Sequence, residues 1–167
     1  EAGIQTKLTR GVLLHLVVPI RLSPTPTELE ALTATLRACN TAADHVSQVA
    51  FTRRIWANYK LRAVTYGEVR NQFGLSSQMA QHVIKKVANS YGSGKKQHRN
   101  AAVQRRFRWS SAVAFDARNL SINPDTATVS IATVNGRLKQ IRYRCSTAQQ
   151  ALIAGSKIGE SDLIYRD

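Results

Sequence analysis

Residues 91–109, YGSGKKQHRNAAVQRRFRW, hold six Lys or Arg (Lys95, Lys96, Arg99, Arg105, Arg106 and Arg108), two rings at Phe107 and Trp109, and no acid. Cations strung along a chain in this way can neutralise successive phosphates and release the counterions condensed on a nucleic acid. The rings could stack on unpaired bases. Alternation along a strand favours a different use: Phe107 and Trp109 share an inner side, with Arg106 and Arg108 opposite, facing the nucleic acid. A second set of candidates lies in TYGEVRNQFGLSSQMAQHVIKKVANSYG. There Thr65 is expected to cap a short helix over residues 67–73, Gly74 to turn the chain, and Ser76 or Ser77 to cap a longer helix. In a helix-turn-helix DNA reader the second helix sets its early residues on base edges, here Ser76, Ser77, Gln78, Gln81 and Lys85. Two helices of an ordinary bundle would show the same spacing.

Other chemistries find no residues. His15, His45, His82 and His98 stand far apart, without a second ligand at helical spacing. His15 reads as a buried strand residue and His82 as lying on the polar side of its helix. Carboxylates are scattered, so the clustered acids of a metal nuclease are missing. Gly92-x-Gly94-Lys95 lacks the spacing of a phosphate-binding P-loop. Cys39 and Cys145 are too few for a zinc site or a disulfide framework, which points to a reducing cytoplasm. No catalytic residue, metal ligand or cofactor is therefore expected in this chain.

The charge balance explains why the basic residues take precedence. The 167 residues carry 24 Lys+Arg against 10 Asp+Glu, a net +14. Between Asp44 and Asp116 the one acid is Glu68, against thirteen Lys or Arg. Such a field repels itself unless a polyanion screens it. An anionic membrane is the other polyanion, but the longest apolar run, Val12 to Ile20, is broken by His15 and too short to span. No secretory leader is read ahead of it, and a start at Glu1 without a Met suggests a trimmed chain.

The elements that must position these residues read in the order strand, helices, strands. Residues 4–22 form a dense apolar run that suits a strand covered on both faces. SPTPTE, with two prolines and Thr27 ahead of Glu28 and Glu30, starts a helix. Leu29, Leu32, Leu36, Ala43, Val46 and Ala50 continue it to about Phe51, with Trp56 and Tyr59 packed near its end. In the later helix Met79, Ala80, Val83, Ile84, Val87 and Tyr91 form the inner side, and Gly92-Ser93-Gly94 ends it. Period-two patterning follows: Leu120–Ile122, a turn at Asn123-Pro124-Asp125, Ala127–Val134, an Asn135-Gly136 hairpin and Arg137–Arg144. Ser146 caps a short helix that Gly155 stops, and residues 158–167 read as a further strand in need of a partner, from which a longer native polypeptide is expected. The expected class is α+β, a small antiparallel oligonucleotide-binding-like barrel (residues 1–22 and 107–167) interrupted by a helical insertion (23–106).

A first strand with a proline-containing end, TYGEVRNQFGLSSQMAQHVIKKVANSY, QRRFRW…AFDARNLSI and NGRLKQIRYR occur here in that order. This order resembles the N-terminal portion of TnpB (OrfB-type) proteins of bacterial insertion sequences and of their relatives, the type V CRISPR effector nucleases. The resemblance implies a wedge domain interrupted by a helical recognition domain. Together these would hold a guide RNA and the guide–target duplex and read a short motif in double-stranded DNA beside the target. By position it assigns Tyr66 and Gln81, with Arg70 and Ser77 beside them, to the DNA-facing side. Asp116 and Ala117 fall in a wedge loop near the same motif, where an acid departs from what phosphate favours. The family's RuvC-like nuclease domain, with its G-[IV]-D-x-G strand, its divalent metal (magnesium expected) and a cysteine-rich zinc element, has no counterpart in these residues. A stand-alone helix-turn-helix regulator is the alternative, and a bacterial cytoplasm the expected location.

Overall fold

The computed structural model describes residues 16–92 and 102–166. It is an α+β arrangement in which three helices lie between the first strand and the rest. Strand β1 (Arg21–Leu22) leads into α1 (Pro26–Arg53), α2 (Asn58–Phe73) and α3 (Ser77–Tyr91). Then come β2 (Val113–Phe115), β3 (Leu120–Asn123), β4 (Thr128–Thr133), β5 (Gly136–Arg144), a short helix α4 (Thr147–Gly155) and β6 (Ser161–Leu163). Among the described residues no helix is long and apolar enough to cross a membrane.

Helix α1 starts at Thr25, two residues before the Thr27 expected. The Thr25 hydroxyl accepts from the Glu28 N–H while the Glu28 carboxylate accepts from the Thr25 N–H, a reciprocal pair that satisfies two donors at the helix start. Leu32, Leu36, Cys39, Ala43, Val46 and Ala50, spaced by three and four, are buried. Leu29 is 45% exposed and lies outside that stripe. Buried polar residues flank that stripe on both sides, Thr35 toward the β4–β5 turn and Asn40 and Ser47 toward residues 105–111. Helix α2 begins at Asn58, well before the expected start. Thr65 sits inside it, its hydroxyl donating to the Leu61 carbonyl at 2.7 Å. Gly74 closes α2 at φ 63°, a left-handed conformation that costs glycine least, and Ser76 caps α3. The expected inner side of α3 is buried at every position. Trp56 packs on Tyr91 with ring centroids 4.6 Å apart, whereas Tyr59 is 72% exposed.

Strands β1-β5-β4-β3 form one antiparallel sheet. Arg21 faces Arg144 and Leu22 faces Tyr143, so the first strand does return to the later ones across the helical block. Of the run expected to be a fully covered strand, Leu16 and Val17 are exposed, while Val18 and Ile20 pack against the core. The part before residue 16 is outside the described residues. Leu138 and Ile141 both lie toward the core side although three residues apart. Two β5 residues, Lys139 and Gln140, stand against Ser130, and Gln140 takes φ 60°; this bulge resets the alternation. The β4–β5 hairpin turns at Val134-Asn135, with Gly136 pairing Thr133 at φ 106°.

The expected partner for the last strand lies within the chain. Strand β6 pairs with β2, Val113 opposite Leu163 and Phe115 opposite Ser161. These two make a ladder of their own, and among the described residues no closed barrel forms. The Asp116–Asn119 turn, in which the Asp116 N–H donates to Asn119 Oδ1, separates β2 from β3.

Candidate nucleic-acid interface

Helices α2 and α3 run antiparallel, and side chains bridge them in rungs. The Tyr66 hydroxyl donates to Ser77 Oγ at 2.8 Å, and Arg62 donates to Gln81 Oε1 at 3.3 Å. Gln81 in turn donates to Ser77 at 3.4 Å, and the Arg70 guanidinium lies 5.9 Å from the Tyr66 ring centroid. Four of the expected residues (Tyr66, Arg70, Ser77 and Gln81) are thus brought together on one face. Arg62 joins them, legible in hindsight as the residue one helical turn before Tyr66. The bond to Ser77 first, then the charges of Arg70 and Arg62, hold the Tyr66 hydroxyl below the ordinary tyrosine range. Lys85 follows Ser77 and Gln81 at helical spacing but is ion-paired with Glu160 at 2.7 Å.

The basic segment behaves differently from a strand. Residues 104–108 join no ladder. Polar side chains of α1 and α3 pin their backbone instead, in an order antiparallel to α1. Ser47 donates to the Arg105 carbonyl at 2.7 Å, and the Arg105 N–H donates to the Tyr91 hydroxyl at 3.2 Å. The Phe107 N–H donates to Asp44 at 2.8 Å. Asn40 Nδ2 donates to the carbonyls of Trp109 and Ser111, both at 2.9 Å. Lys86 donates to Asn40 Oδ1 at 2.6 Å and to the Ala112 carbonyl at 2.8 Å, with the Phe107 ring 5.0 Å away. Burial, opposed by Cys39, Asp162 and Asp44, lowers the affinity of Lys86 for its proton.

This strap fixes which way the charges point. Phe107 is half-buried against the core while Arg106 and Arg108 are exposed, as alternation predicted. Arg105 is half-buried, its Nε without a partner, and so is less available than expected. The inward placement of Trp109 is corrected: a turn at Trp109-Ser110 ends the alternation and leaves the residue 37% exposed. Lys95, Lys96 and Arg99 lie outside the described residues.

A third cationic group was not expected. Arg21 and Arg144 are direct cross-strand partners, and Arg142 lies two residues from Arg144 on the same face; all three are exposed. Like charges set opposite one another disfavour the pairing unless an anion lies between them. The sequence signal was the alternation of Arg142 and Arg144 with buried Ile141 and Tyr143.

The carboxylates explain themselves as structure. Asp116 accepts from Arg118 at 2.7 Å, and those bonds hold its carboxyl down at about 2. His82, expected on the polar side, is 7% exposed, with Nε2 3.2 Å from Asp116 and Nδ1 3.7 Å from Glu160. The sequence gives no hint of this because Asp116 and Glu160 approach from remote segments. Burial pushes the Cys39 thiol up to about 12, so it is no nucleophile at neutral pH. No group of three or more His, Cys, Asp or Glu among the described residues could hold a metal ion. What remains are three separate groups of exposed cations, one of them, on α2 and α3, also presenting amide and hydroxyl groups. Among the described residues, Arg62, Arg70, Arg106, Arg108, Arg142 and Arg144 show no salt bridge to a carboxylate. No family model, curated protein or solved structure matches the chain.

Proposed function

We propose that this chain is the nucleic-acid-binding part of a TnpB-like RNA-guided DNA endonuclease. It grips a guide RNA and the guide–target duplex and reads a short motif in double-stranded DNA beside the target. One observation carries the reading: thirteen cations against one acid between Asp44 and Asp116, with exposed arginines that show no salt bridge to a carboxylate among the described residues. The strap presents Arg106 and Arg108 as positioning cations. Tyr66, Ser77 and Gln81, flanked by Arg62 and Arg70, are the reading face, since Gln can bond adenine bidentately. The strands serve as an opened oligonucleotide-binding-like wedge, supported by the return of β1 to β5 across the helical block. Cleavage and its magnesium belong to a RuvC-like domain outside these residues.

The test is RNA selectivity. RNA transcribed from the DNA flanking the coding sequence should bind at least tenfold tighter than scrambled RNA of equal length at equal salt. Equal affinity for the two would remove the RNA-guided reading.

A further inference from the structure

Trp109 is anchored through its backbone, where Asn40 holds its carbonyl at 2.9 Å, yet the residue is 37% exposed. Two separate segments converge on that ring. The Arg37 guanidinium, from α1, lies 4.3 Å from its centroid. Tyr165, just after β6, sets its own ring 4.9 Å away at 54° and is 36% exposed. Arg108 precedes it in the chain and is exposed. A large ring is thus fixed in place and partly open to solvent, with one arginine over it and another beside it in the chain, and no carboxylate is bonded to either arginine among the described residues.

We propose that Trp109 and Tyr165 form a stacking platform for one unpaired base of a nucleic-acid strand, with Arg37 and Arg108 taking the phosphates beside it. The inference rests on the nucleic-acid reading above and adds a single-strand site to it. Charge complementarity selects this occupant. A base offers a flat face to the rings and brings phosphate to the arginines, whereas an apolar protein surface would strip water from two guanidiniums without neutralising them. Arg37 and Arg108 show no salt bridge to a carboxylate among the described residues.

The experiment compares a 12-nucleotide oligo-dT with a 12-base-pair duplex at one salt concentration, using the 167-residue chain and its Trp109→Ala and Trp109→Phe variants. Stacking worth ~1–3 kcal/mol per base predicts that Trp109→Ala weakens oligo-dT binding by roughly 5- to 150-fold. Duplex affinity should stay within about twofold, and Trp109→Phe should retain most of the oligo-dT binding. Oligo-dT should also quench tryptophan fluorescence in the wild-type protein and not in Trp109→Phe. That quenching decides the matter if Trp109→Ala fails to fold. Wild-type binding that Trp109→Ala leaves intact, without quenching, overturns the platform but not the nucleic-acid reading. Failure of the wild-type chain to bind either oligonucleotide overturns both.

Discussion

Replacing Asn40 with Ala tests whether the strap is held as described. The amide donates to the Trp109 and Ser111 carbonyls and to the Leu36 carbonyl of its own helix, and accepts from Lys86, joining α1, the strap and α3 at one buried point. Asn40 itself is 1% exposed. Two amide–carbonyl bonds across to the strap at ~1 kcal/mol each, plus one to an ammonium at ~1.5–3 kcal/mol, give an upper figure of about 3.5–5 kcal/mol. Water entering the vacated space brings the expected loss to about 2–3 kcal/mol. In urea denaturation, with a slope of roughly 2 kcal/mol/M, the midpoint should fall by about 1–1.5 M. Asn40→Asp should do no better. Its carboxylate would attract Lys86, but its oxygens would face two carbonyl oxygens with no proton between them. An Asn40→Ala midpoint within about 0.25 M of wild type would refute the reasoning, because Asn40 would then contribute little to holding the strap.

Arg106→Ala with Arg108→Ala should lower the salt slope of duplex binding by roughly 2, at about 0.9 per neutralised phosphate, and leave the melting temperature unchanged because both side chains are exposed. Gln81→Ala should flatten preference among duplex sequences with a smaller general loss, measured by competition binding. Asp116 supplies a pH prediction. Its carboxyl is held at about 2 against an ordinary 3.8, chiefly by Arg118, so its contribution is fully present above the ordinary value and is lost as pH falls toward 2. Melting temperature followed from pH 5 to 2 should therefore fall less steeply in Asp116→Asn than in wild type, and identical acid limbs would contradict the assignment.

The local grammar of the chain was readable wherever neighbours in sequence decide the outcome. Helical spacing located the inner face of α3, and Gly74 and Ser76 located the α2–α3 turn. Thr65 misled because a threonine can bond back to the carbonyl four residues earlier as readily as it can cap a helix. The strap was only half legible. Alternation gave the inward Phe107, but the pinning groups (Asn40, Asp44, Ser47 and Lys86) sit on helices tens of residues away. Trp109 followed the same pattern on paper and left it in space, because a turn begins at that residue. His82 depends entirely on Asp116 and Glu160, contacts that no local pattern announces. For the interface, composition announced the charge, while pairing of β1 with β5 was needed to set Arg21 against Arg144.

Salt dependence of affinity tests the central claim most directly. With about six phosphates neutralised by the exposed arginines, the logarithm of the association constant for a duplex should fall with the logarithm of salt concentration at a slope near −5, roughly a thousandfold between 50 and 200 mM. A slope between zero and about −1 would mean that these cations do not face a sugar-phosphate backbone, and the account would fail.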